Sequence, residues 1–174
     1  MTSFAVLPGM PATGPYPKQF TRDGLGTHSE GFVVAFSPPE KQSWVGNFQL
    51  GLTQYSAAVR HPDEQRVLVI AGGQAYLVDP RTANLDESFG GGIERHWVLE
   101  DGQLVLLVHS GVEFEAIGAA GPRWRTARLS WDGFRHLEIN GASLAGEAWC
   151  APEQSWFRFE VDLRTGESRG GAFE

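Results

Sequence analysis

The chain has 174 residues, 41% of them hydrophobic and including six Trp and eleven Phe, which is enough apolar surface for a packed core and too much for a disordered chain. Its formal net charge of −7 and pI of about 5.2 speak against a broad nucleic-acid-binding surface and suit a basic partner better. The single cysteine, Cys150, excludes an intrachain disulfide and a thiol-based zinc site.

Residues 1–30 are rich in Pro, Gly and Thr and show no clean period, so they read as an irregular lead-in. They carry no basic n-region, and their first apolar run breaks at Pro8, so no signal peptide is expected. Nor does any run of eighteen apolar residues predict a membrane span. The expected location is cytoplasmic.

From Gly31 onward the pattern has period two. FVVAF turns at SPPEKQ into WVGNFQL; YSAAVR turns at HPDEQ into RVLVIA, then at GGQ into AYLVD. IERHWVLE turns at DG into QLVLLVH, then at SG into VEFEAIG. FRHLEI turns at NG, a strong hairpin signal, into ASLAGEAWC, and APEQS leads into WFRFEVDL. The best helical stretch, Thr82–Ser88, is too short to matter.

The strands come in sets. Fuller sets cover roughly 55–91, 93–130 and 134–173, with half of another at 31–50. VDPRTANLDESFGG from Val78 and VDLRTGESRGG from Val161 share VD-x-RT and a glycine pair, and begin 83 residues apart. That interval is two units of about 40 residues, the length of a four-stranded propeller blade. The predicted fold is therefore all-β: an antiparallel meander of propeller-like four-stranded units, about three and a half of them, open or compactly closed. Residues 31–174 read as one β domain of blade-like repeats. The VD-x-RT string is turn chemistry, an Asp leaving a strand and bonding the backbone two residues on.

No catalytic, cofactor or metal motif is legible. His28, His61, His96, His109 and His136 show no metal-pair spacing and read mostly as partly buried strand residues, with His61 an ordinary turn residue beside Pro62. GLGTHSEG at 24–31 lacks the spacing and the following helix of a phosphate cradle. Glu113 and Glu115 alternate on one strand, and Glu138 and Glu160 sit on others. A glycosidase needs two convergent carboxylates, but solvated strand faces account for these residues. Cys150 reads as a small buried residue. The six tryptophans read as filling between twisted sheets, with an exposed aromatic contact patch as the alternative.

One pattern has direction. In an up-and-down sheet the first and third turns share an edge. That edge carries Asp63, Glu64, Asp79, Asp86, Glu87, Glu100, Asp101, Asp162 and Glu167, with Arg81, Arg123 and Arg164. The second turns carry mostly Gly, Ser, Pro and Gln. An acidic rim on a rigid scaffold would speed encounter with a basic protein.

The blocks FVVAFSP…WVGNFQLG, VLVIAGGQAYLVDP, SFGGGIE, FEAIGAAGPRWRTARLSWDGF and GEAW…WFRFEVDLRTGESRGG together resemble a family of small bacterial β-rich proteins to which no activity is assigned. The likeness covers most of residues 31–173, is most specific in RWRTARLSWDGF and GEAW…VDLRTG, and brings no catalytic residues with it. It implies a stand-alone cytoplasmic bacterial protein.

The expected function is a non-enzymatic protein-binding module without a cofactor, most concretely an immunity protein that caps a basic toxin domain with its acidic rim, binding neither nucleic acid nor membrane. Asp63, Glu64, Asp79, Asp86, Glu87, Glu100, Asp101 and Asp162 are the candidate contact residues. The alternatives are a carbohydrate-binding or hydrolytic propeller-like protein with a central pocket, and a scaffold module.

Overall fold

The computed structural model describes residues 1–14 and 16–173, with the side chain of Asp101 outside the description. Sixteen strands form four four-stranded sheets among the described residues, and one 3-10 turn at Glu100–Gly102 is the sole helical element. The first sheet contains β1 (Ser3–Leu7), β2 (Lys18–Phe20), β3 (Phe32–Ser37) and β4 (Trp44–Phe48), in the order β1-β3-β4-β2. The other three are plain meanders: β5 (Ala57–Arg60), β6 (Val67–Ala71), β7 (Gln74–Asp79) and β8 (Asn84–Gly90); β9 (Ile93–Leu99), β10 (Leu104–His109), β11 (Glu113–Gly118) and β12 (Gly121–Arg125); β13 (Phe134–Asn140), β14 (Ser143–Cys150), β15 (Ser155–Asp162) and β16 (Ser168–Gly170).

The half unit expected at 31–50 is a whole one. Its missing strands come from the segment that reads as irregular: β1 pairs antiparallel with β3, and β2 pairs parallel with β4. Neither was legible, because β2 is three residues long and β1 buries only Phe4 and Leu7 in part, so no alternation shows. The stretch Thr82–Ser88 is no helix; it runs into edge strand β8, pairing with β7.

The chain divides into two units, 1–93 and 94–174, each holding two sheets. In the first unit Phe20, Val34, Phe36 and Phe48 of the first sheet interdigitate with Val67, Val69, Ala71, Tyr76 and Val78 of the second. The other face of that second sheet, Leu68, Ile70 and Ala75, is also fully buried, which is why VLVIA reads as an unbroken apolar run. In the second unit Leu104, Leu106, Phe114 and Ala116 pack against Leu144, Ala148, Phe159 and Val161. Phe114 is the centre of an aromatic trio, 4.6 Å from Phe134 and 5.6 Å from Phe159 between ring centroids.

Turn chemistry sets the registers. Gly72 and Gly73, with φ of 54° and 86°, make a two-residue hairpin whose paired positive φ values only glycine adopts freely. At the NG signal the loop lies one residue later than the dipeptide implies: Asn140 still pairs with Ser143, and Gly141 and Ala142 turn the chain. The outer face of the first sheet is covered by its own chain. Buried Asn47 donates to the Gln19 side chain (3.0 Å) and to Ser29 O (3.3 Å), and accepts from Gly31 N (2.8 Å), which ties residues 28–31 across the strands.

Candidate functional site

The repeated VD-x-RT line is a bracing turn in both copies. Arg81 N donates to Asp79 Oδ1 and Arg164 N to Asp162 Oδ1, each at 2.8 Å, as the two-residue reach of the Asp side chain predicts. Thr82 Oγ1 adds a bond to Asp79 Oδ2 at 3.0 Å. Four residues after each Asp the backbone enters the left-handed region, at Ala83 (φ 56°) and Gly166 (φ 77°). The residue after each Asp then accepts an indole N–H from the neighbouring sheet of the same unit: Trp44 Nε1 to Pro80 O at 2.8 Å, and Trp124 Nε1 to Leu163 O at 3.0 Å. The line is written twice because each unit closes its pair of sheets with the same strut.

This settles how several rim carboxylates are used. Asp79 and Asp162 are committed to their own turns. Asp63 accepts from Gln65 N (2.9 Å), Arg66 N (3.0 Å) and Arg66 Nε (2.5 Å). Burial opposes its ionisation, but the Arg66 backbone and guanidinium bonds outweigh that and hold its carboxyl well below the usual range. Asp86 and Glu87 lie within β8 rather than in a turn; Asp86 is 3.7 Å from the Arg66 guanidinium. Glu100 opens the 3-10 turn at φ 52° and sits 3.7 Å from Arg123. Asp101 falls in the same turn, its side chain outside the described atoms.

Of the rim carboxylates in the first unit, Glu64 and Glu87 are left over. Both are exposed, and neither has an ion-pair partner among the described residues. Glu64 sits at φ 62° on the tip of the turn that Asp63 braces, its N–H bonded to His61 O at 2.9 Å. Asp86 and Glu87 extend the same acidic character along the edge strand.

Two expectations about single residues are corrected. His61 is no ordinary turn residue: it is 1% exposed, the Asp63 N–H points at its Nδ1 (3.3 Å), and burial pushes its pKa down. Its Nε2 meets no hydrogen-bond partner among the described atoms. Glu115 is not on a solvated face; it is buried with its Oε2 2.6 Å from His109 Nε2. Both side chains project from the same side of β10 and β11, where a charge persists only when paired. Glu113 pairs with Arg125, and Glu160 accepts from Ser143 Oγ at 2.6 Å. Cys150 is buried as its apolar setting implies.

The tryptophans divide between the core and the surface. Trp44 stacks on Phe36 at 4.3 Å within the core. Trp131, 41% exposed, stacks on Phe173 at 5.3 Å with the Arg128 guanidinium over both rings. In the second unit the outer face of the fourth sheet is polar and open. A cavity of about 320 Å3 there is lined by Ser143, Glu160, Asp162, Arg164, Glu167 and Arg169 among others, so the second VD-x-RT turn forms part of its wall. Among the described residues no group of three or more His, Cys, Asp or Glu is placed to hold a metal ion.

No protein-family model matches the chain, and no curated protein matches it significantly. Solved structures do. BamB from Moraxella catarrhalis superposes with a TM-score of 0.50 at 15% identity, over 79% of this chain and 43% of that one. The β-propeller domain of Cps50 (Swd1) from Myceliophteria thermophila aligns with a TM-score of 0.47 at 12% identity, over 83% of this chain and 55% of that one. The chain thus spans less than half the length of BamB. With four four-stranded sheets at blade length, its fold is all-β and propeller-like.

Proposed function

We propose that the chain is a non-enzymatic protein-binding module and, more specifically, an immunity protein that neutralises a bacterial toxin by covering a basic surface with its own acidic one. The observation that carries this reading is the pair of uncompensated carboxylates, Glu64 and Glu87, on a braced turn and its neighbouring edge strand. Rigid turns on a β scaffold present side chains at little ordering cost, and unpaired exposed charge speeds encounter with the opposite sign. The net charge of −7 adds a long-range field in the same direction. Asp63 and Asp79 brace the turns of this unit, since their oxygens are already used by those turns. In this reading the protein works in the cytoplasm of a bacterium.

The test is affinity capture of the tagged protein from its own cells, with elution by salt. A single basic protein that leaves the column between low and high ionic strength supports the reading. A column that stays empty under gentle conditions refutes it.

A further inference from the structure

Independently of the partner reading, the four sheets differ in how their edges are closed. An edge strand leaves one row of backbone N–H and C=O groups without a ladder, and proteins blunt such edges with short strands, bulges or charged side chains. Seven of the eight edge strands among the described residues are blunted in one of these ways. β2 and β16 are three residues long. β8, β12 and β13 each carry a bulge, at Asp86, at Arg123 and at His136–Leu137. β5 carries Arg60, and β9 carries Glu94 and Arg95.

β1 is the exception. Its residues, Ser3 to Leu7, include no charge and no proline, and its register with β3 runs from Ser3 opposite Ser37 to Leu7 opposite Val33 without a shift. Among the described residues, no backbone hydrogen bond reaches it from outside its sheet. The Arg60 guanidinium closes the row only ahead of its start, by donating to Thr2 O at 2.9 Å. Phe4 packs against the core of the first unit, so by alternation Val6 shares its face, yet Val6 is 52% exposed. The opposite face of the strand presents Ser3 and Ala5, both exposed, and β3 continues that face with Ala35 and Ser37, again uncharged.

We propose that β1 is the contact through which two copies of this chain associate. Their β1 strands pair antiparallel about a two-fold axis and join the two first sheets into a single larger one. Full overlap of the strand sets the register: Ala5 opposite Ala5, Ser3 opposite Leu7 and Phe4 opposite Val6. The occupant follows from charge. Two chains of net charge −7 repel each other, and they approach with least repulsion along an edge that has no charge of its own. A basic or acidic strand would gain backbone bonds there but would meet no side chain of opposite sign. A second copy brings an equally long, uncharged strand and covers Val6 with its own Phe4. The contact is small, which places the dimer in the weak, concentration-dependent class.

Sedimentation equilibrium of the full chain from about 5 to about 500 μM tests this. The average mass should rise from the 19.0 kDa of one chain toward twice that value, and more readily at high salt, which screens the repulsion between acidic copies. Ala5→Lys and Ala5→Asp each place like charges against one another in the proposed register, so each variant alone should associate at least about tenfold more weakly than the parent. An equal mixture of the two variants should recover the parent's association, because opposite charges then meet. Ala5 is exposed, and an unchanged thermal melt shows that the variants fold. Hydrogen exchange gives a reading that needs no variant: amides of β1 that face the open edge should become protected as concentration rises. A parent that keeps the mass of one chain throughout overturns the proposal. So does a dimer that salt dissolves or that ignores both substitutions, a mixture no stronger than its components, or β1 exchange that ignores concentration.

Discussion

Gly166→Ala tests the strut that the repeated turn builds. Gly166 has φ 77°, where an L side chain costs about 1–2 kcal/mol; the stiffer unfolded chain gives back roughly 0.5–1 kcal/mol of that. The new methyl would also lie 2.7 Å from Cδ2 and Cε3 of the Trp124 indole. The indole must then move, losing some or all of its bond to Leu163 O, worth about 0.5–1.5 kcal/mol, together with part of its packing. With about 1 kcal/mol for the disturbed packing, the total is a destabilisation of about 1.5–4 kcal/mol. The matching position in the first unit supplies the control. Ala83 already occupies φ 56°, so Ala83→Gly relieves strain at some entropic cost and should stay within about 1 kcal/mol of the parent. Urea unfolding followed by tryptophan fluorescence reads both. A Gly166→Ala midpoint indistinguishable from the parent, or an equal loss from Ala83→Gly, would refute the strut.

Asp79→Ala and Asp162→Ala should each cost about 1 kcal/mol of stability through loss of the turn bond while leaving partner affinity nearly unchanged; thermal unfolding and the captured partner measure the two effects separately. Phe114→Ala, at the centre of the second unit's aromatic trio, should cost about 3–5 kcal/mol in the same assay. Acid should destabilise the protein as the pH falls through the histidine range. Burial lowers the pKa of His61 and of His96 below the ordinary 6.5, so the folded state binds fewer protons than the unfolded one. The stability they preserve is complete above pH 6.5 and falls as pH drops below it, by at most about 1.4 kcal/mol per unit per group. Urea midpoints at pH 7.5 and 5.5 should differ in that direction, and His61→Asn should flatten the difference; an unchanged midpoint contradicts the burial argument.

The sheets were legible wherever both faces are buried or turns are punctuated by glycine, as at VLVIA–GG–QAYLV, because continuous apolar runs and paired positive φ values leave direct marks in sequence. The repeat length was legible from VD-x-RT, while the count fell half a unit short of the four sheets. What escaped was set by tertiary contact alone: β1 and β2 take their strand form from β3 and β4, and the burial of His61 and of the His109–Glu115 pair depends on what covers those faces. The acidic rim illustrates the same limit. Sequence places nine carboxylates in or near the turns, but hydrogen bonding decides which are spent, and only the structure separates Asp63, bonded to Gln65 and Arg66, from Glu64 on an exposed tip. In β13 His136 and Leu137 together oppose Gly146 in a β-bulge, whose one faint trace in the sequence is that glycine in the middle of β14.

The measurement that bears most directly on the binding account is the association rate of the captured partner with the parent chain and with a Glu64→Lys/Glu87→Lys double variant, at several salt concentrations. The account predicts a slower on-rate for the variant and a flatter salt dependence, with dissociation much less affected, because exposed charges act mainly on encounter. Identical on-rates and identical salt slopes would contradict it.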